Sequence, residues 1–118
     1  MLGQRGRRRP AGIDPAQATK LLSQGALLLD VSERDEWDAG HAPVARHVPL
    51  AELAGSMASL PPAAPLVVVC RSGRRSAEAA AVLLDAGFEA LNLVGGMVAW
   101  AAAGYRVESA RGAPGVVL

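Results

Sequence analysis

The chain has 118 residues, 51% of them apolar (chiefly Ala, Val and Leu) and 3% aromatic, enough for one domain packed from small aliphatic units without metal or disulfide. Basic and acidic residues number 12 and 11, but Arg5, Arg7, Arg8 and Arg9 crowd into the first ten positions. The remainder is mildly acidic, which argues against nucleic acid as the main partner.

Residues 1–12, rich in Gly and Arg, have no periodic signal and read as a basic flexible tail. Asp14-Pro15 is a helix start, because Asp14 can cap free amides and Pro15 sits where a missing N–H costs nothing. Ala18, Leu21 and Leu22 keep helical spacing, and Gly25 supplies the stop. The apolar run Ala26 to Val31 predicts a strand buried on both faces. Glu33 to Ala39 predicts a short helix closed by Gly40, with Trp37 turned inward. A Pro-bearing loop follows His41, then a brief extended piece over Arg46 to Pro49, and one or two helical turns between Leu50 and Leu60. Leu66 to Val69, apolar, mostly β-branched and unbroken, is the most strand-like segment and ends directly at Cys70. Ser76 to Ala86 predicts a helix with Ala80, Leu83 and Leu84 toward the core, ended by Gly87. Ala90 to Val94 is another strand, Gly95-Gly96 a turn, and Met97 to Ala103 a last helix before Gly104. The closing Gly- and Ala-rich residues 109–118 give no signal and read as a C-terminal tail, leaving 13–108 as the domain.

Strands alternating with helices imply an α/β domain, a central parallel sheet with helices on both faces. Such sheets bind ligands beyond the carboxyl ends of their strands, and Cys70 falls at that kind of place. As the single cysteine of the chain, it has no intrachain disulfide partner, which fits a reducing compartment. The basic N-terminus has no apolar stretch behind it, and nowhere do eighteen apolar residues run together. A cytoplasmic, membrane-free protein is the expectation.

Chemistry concentrates in Cys70-Arg71-Ser72-Gly73-Arg74-Arg75-Ser76. A tight strand-to-helix loop can turn successive N–H groups inward as an anion nest, and the helix behind it adds the positive end of its dipole. Arg71, Arg74 and Arg75 add charge, and Gly73 lets the backbone bend. All of these favour thiolate over thiol at Cys70. A lone cysteine after an apolar run is more often an inert core residue, but such a cysteine would lead into further apolar sequence. Here it leads into three arginines at a helix N-terminus, where cations are disfavoured unless an anion sits there. His41 and His47 lack a third ligand at metal spacing, so structural hydrogen bonds are the better reading and no metal is expected. Asp30 and Glu36 read as loop braces or ion-pair partners, and Trp37 and Trp100 as core or pocket wall.

The loop Cys-Arg-Ser-Gly-Arg-Arg-Ser resembles the active-site loop of rhodanese-like sulfurtransferases. Leu28-Leu29-Asp30-Val31 through Glu36-Trp37, Gly40-His41 and Val48-Pro49-Leu50 is similar to that family's upstream signature. Leu93 to Trp100, continuing to Gly104, is similar to its C-terminal one. The chain departs where the family often has Arg in place of Ser32 and Gly in place of Val44. The resemblance covers roughly residues 12–107 and implies the rhodanese fold, a persulfide on Cys70, and substrate held by loop amides and side chains over residues 71–76. It implies no cofactor, a small sulfur donor such as thiosulfate, and a thiol or sulfur-carrier protein as acceptor. Phosphatases and arsenate reductases of the same architecture close a longer loop with an arginine where Ser76 stands, so loop length favours sulfur. A non-catalytic binding module on this fold is the other alternative.

Overall fold

A computed structural model describes residues 9–118. Asp14 begins helix α1 (Pro15–Ser23) with a reciprocal cap: its carboxylate accepts from the Gln17 amide at 2.8 Å, and the Gln17 side chain accepts from the Asp14 amide at 2.9 Å. Strand β2 (Leu27–Asp30), helix α2 (Arg34–Ala39) and the two-residue strand β3 (Arg46–His47) follow. The 50–60 segment becomes helix α3 (Leu53–Ser56) between two tighter turns, Leu50–Glu52 and Met57–Ser59. Then come β4 (Leu66–Val69), α4 (Arg74–Asp85), β5 (Ala90–Leu93) and α5 (Gly96–Ala102).

The tail expected over residues 1–12 is corrected at its inner end. Ala11–Ile13 is a strand, β1, paired parallel with β5 through Ala11↔Leu91, Gly12↔Asn92 and Ile13↔Leu93. Three residues with a Gly and an Ala show no apolar alternation, so only the ladder offered by β5 reveals them. The Arg5 to Arg8 part of the basic run lies outside the described residues.

All pairings in the five-stranded sheet are parallel, in the order β1-β5-β4-β2-β3. β4 is central and all four of its residues are buried, which accounts for its unbroken apolar run. Strand residues alternate between two cores. Leu29, Val68 and Cys70 pack with Leu53 of α3 and with Ala79, Ala80 and Leu83 of α4. On the other face Leu28, Val67, Val69 and Leu93 pack with Ala18 of α1 and with Met97 and Trp100 of α5. Among the described residues no helix is long and apolar enough to cross a membrane.

Residues 109–118, expected as a tail, fold back along the domain. Gly115 N–H bonds the Val107 carbonyl, Val116 N–H bonds the Ala39 carbonyl, and His41 and Glu108 exchange backbone bonds. Gly40 makes room for the return, because a Cβ there would collide with the Val116 backbone.

Candidate active site

Cys70 is fully buried where β4 ends, and the chain turns at once into α4. The helix begins at Arg74, earlier than the Ser76 start that the sequence suggested, because Gly73 takes φ +100° and turns the backbone directly into it. The first helical turn therefore lies inside the loop. Gly73 and Ser76 amides donate to Cys70 Sγ at 3.2 and 3.3 Å, and the Ser76 hydroxyl lies 3.3 Å from the same sulfur. At a helix N-terminus these amides have no carbonyl of the preceding turn to serve, which leaves them for the sulfur.

The carbonyls of the loop face the other way. Met97 N–H donates to the Cys70 carbonyl at 2.8 Å and Val98 N–H to the Arg71 carbonyl at 3.1 Å. The start of α5 thus takes up the loop's acceptors and leaves its donors for sulfur. Gly96 permits this approach, since a Cβ there would stand 2.5 Å from the Arg71 carbonyl oxygen.

Burial alone would push the Cys70 thiol up, but hydrogen bonds from the Ser76 side chain and the Ser76, Gly73 and Ser72 amides outweigh it and bring the thiol below its ordinary value. The loop amides do this work, joined by the Ser76 hydroxyl when its proton is turned to the sulfur. The inward amides expected from the sequence are there, while the three arginines expected to add their charge lie in different surroundings. Arg75 is engaged by Glu36 through two bonds of 2.6 and 2.9 Å, which hold Glu36 below the usual carboxylate range despite partial burial. Arg71 is exposed, and its Nε donates to the Leu118 carbonyl. Arg74 is exposed and lines an open basin with Ser72, Arg75 and Glu78. Of the loop residues singled out in the sequence, Cys70, Gly73 and Ser76 and the Ser72 amide converge on the sulfur, while the three guanidinium groups spread around it.

Asn92 escaped the sequence reading. From β5 its Oδ1 accepts the Ser76 hydroxyl at 2.6 Å, and its Nδ2 donates to the Gly73 carbonyl at 3.3 Å. A polar residue between Leu91 and Leu93 was the available signal, but nothing local said that β5 lies beside β4. Asp30, at the end of β2, accepts from the Ser32 amide at 2.9 Å through Oδ1, while its buried Oδ2 has no hydrogen-bond partner among the described residues. Burial pushes Asp30 above the usual aspartate value, against the Ser32 bonds that lower it.

His41 and His47 each spend a ring nitrogen on a backbone carbonyl, Nδ1 to Trp37 at 2.6 Å and Nε2 to Ser32 at 2.7 Å. Both rings stack parallel on Trp37, at centroid distances of 3.6 and 4.6 Å. Trp37 is thus half-buried by the two imidazoles rather than turned fully into the core.

Residues 14–103 match the family described as Rhodanese-like domain. A thiosulfate sulfurtransferase, GlpE, of Pseudomonas savastanoi is 37% identical over 101 residues, which cover 85% of this chain and 94% of that protein. GlpE of Pseudomonas putida is 37% identical over 103 residues, 86% and 93% of the two chains. Among solved structures, a rhodanese-related protein of Thermoplasma volcanium superposes with a TM-score of 0.77 at 28% identity, over 82% of this chain and 96% of that one.

Proposed function

Since the chain belongs to the family of rhodanese-like domains and is a sulfurtransferase, we propose that it moves a sulfane sulfur from a donor such as thiosulfate to a thiophilic acceptor through a persulfide on Cys70. The observation that carries this reading is the meeting of the Gly73 and Ser76 amides and the Ser76 hydroxyl at one buried sulfur, all within 3.3 Å.

In the first step the Cys70 thiolate attacks the outer sulfur of thiosulfate. The S–S bond of the donor breaks and sulfite leaves with its electron pair, so that the cysteine carries a terminal anionic sulfur. The loop amides hold negative sulfur before and after transfer, as oxyanion-hole donors hold developing charge. In the second step an acceptor nucleophile takes the outer sulfur and Cys70 leaves as thiolate. Cyanide serves in an assay, and a thiol or sulfur-carrier protein serves in the cell, for which a cytoplasmic setting is the fitting one. Neither step needs metal or cofactor. Arg71 and Arg74, the two loop arginines that form no ion pair with an Asp or Glu side chain among the described residues, draw the anionic donor to the loop. With Ser76 rather than an arginine closing the loop, the cradle suits one sulfur better than a tetrahedral oxyanion.

Incubation with thiosulfate and other sulfane donors, then mass spectrometry, should show Cys70 heavier by one sulfur, with discharge by cyanide and no adduct in Cys70→Ser. Absence of a dischargeable adduct with every donor would leave the fold as a binding module.

A further inference from the structure

A hydroxyl has one proton to give, and two groups beside Ser76 compete for it. The Ser76 oxygen lies 2.6 Å from Asn92 Oδ1 and 3.3 Å from Cys70 Sγ. The orientation of the Asn92 amide is fixed at its other end, where Nδ2 meets the Gly73 carbonyl, which can only accept. Reversed, the amide would set two carbonyl oxygens against each other. An acceptor therefore faces Ser76, and the hydroxyl proton lies on the line to Asn92. What Ser76 then presents to the sulfur is a lone pair, which suits the proton of a thiol and opposes a thiolate. When Cys70 ionises, the hydroxyl must turn its proton to the sulfur and give up Asn92.

We propose that Asn92 is a positioning residue for Cys70, acting through Ser76: it competes for the one hydroxyl proton and so restrains the thiolate that the loop amides favour. The inference rests on Cys70 being the nucleophile of the sulfur transfer. Restraint has a use there, because a thiolate stabilised too far attacks more slowly. Attachment of an outer sulfur moves the negative charge to the terminal atom, and the Ser76 proton returns to Asn92. Ser76 and Asn92 thus form a two-position proton switch that follows where the charge sits.

The test is the pH dependence of Cys70 alkylation by iodoacetamide in the native protein, Asn92→Leu, Ser76→Ala and the double variant. Freed from Asn92, the Ser76 proton stays on sulfur, and one ordinary hydrogen bond raises the thiolate fraction about fivefold below the midpoint. The more stable thiolate is intrinsically slower, so Asn92→Leu should react about twofold faster than native in acid and about twofold slower on the alkaline plateau. Asn92→Asp, which keeps an acceptor toward Ser76, should titrate at or above the native midpoint. In the Ser76→Ala background, Asn92→Leu should move neither limb. A higher midpoint in Asn92→Leu, faster alkylation at every pH, or the same shift with and without Ser76 would overturn the proposal and reduce Asn92 to loop support. Alkylation needs no sulfur donor, so this result is independent of persulfide loading by thiosulfate, whose failure would strike the sulfurtransferase chemistry alone.

Discussion

Arg75 and Glu36, 39 residues apart, are joined by two nitrogen–oxygen bonds of 2.6 and 2.9 Å that tie the first turn of α4 to α2. The pair withdraws one guanidinium from the loop's charge while holding a carboxylate next to it. Arg75→Ala bares that carboxylate, and kcat/KM for thiosulfate should fall about threefold, less at high salt. Glu36→Gln should raise it by a similar factor, and Arg75→Ala combined with Glu36→Ala should return near the native value. A double variant as poor as Arg75→Ala alone would mean that Arg75 touches the donor itself.

The same pair predicts a pH dependence of stability. Glu36 titrates below its ordinary value when folded, so its contribution is complete above the unfolded glutamate value of about 4.3 and is lost as the pH falls through the depressed folded one. The pair is partly exposed, with side chains 31% and 20% accessible, so the contribution should be no more than about 1 kcal/mol. Urea midpoints of native and Glu36→Gln proteins should differ by a constant amount at neutral pH and converge in acid. A gap that persists at low pH would place the stabilisation in packing rather than charge.

Asp30 should behave with the opposite sign. Burial raises its folded value, so the stability it contributes is fully present below the unfolded aspartate value of about 3.9 and is lost as the pH rises through the raised folded one. Asn in its place keeps the acceptor for the Ser32 amide and carries no charge. The advantage of Asp30→Asn over native in urea midpoint should therefore grow from acid to neutral pH. If it shrinks instead, the ionised carboxylate has a partner that the buried Oδ2 lacks here.

Cys70 alkylation in the native protein should reach half its maximum below about pH 8.5, the value of a free thiol. Because loop bonds lower the thiol against burial, Ser76→Ala should move the midpoint up. A native midpoint above 8.5, on the order of a buried inert thiol, would mean that desolvation wins.

Two glycines in positive-φ backbone should respond very differently to alanine. At Gly96 a new Cβ meets the Cys70 and Arg71 carbonyl oxygens, which are backbone and cannot swing aside. Gly96→Ala should cost at least about 2 kcal/mol and lower sulfur transfer more than tenfold, since the loop must move. At Gly104, φ is +88° and nothing stands within 4 Å, so Gly104→Ala should cost only about 1 kcal/mol and spare the transfer rate. Equal losses at both sites would show that the loop does not depend on its contact with α5.

The sequence by itself determined the alternating α/β order, the apolar strand that ends at Cys70 and the loop around its sulfur. Cys70, Gly73 and Ser76 lie within seven residues, so a single strand-to-helix turn can bring the Gly73 and Ser76 amides to the Cys70 sulfur. Only the tertiary structure decided what stands behind and beside that cradle. The strand order sets β5 next to β4, which brings Asn92 to Ser76 and gives Ala11–Ile13 a ladder that its composition did not announce. The packing of α2 against the start of α4 carries Glu36 to Arg75, so that among the described residues two of the three loop arginines form no ion pair with an Asp or Glu side chain. Contacts inside one turn are fixed by chain connectivity. Partners 16 and 39 residues away are fixed only when the sheet has chosen its neighbours.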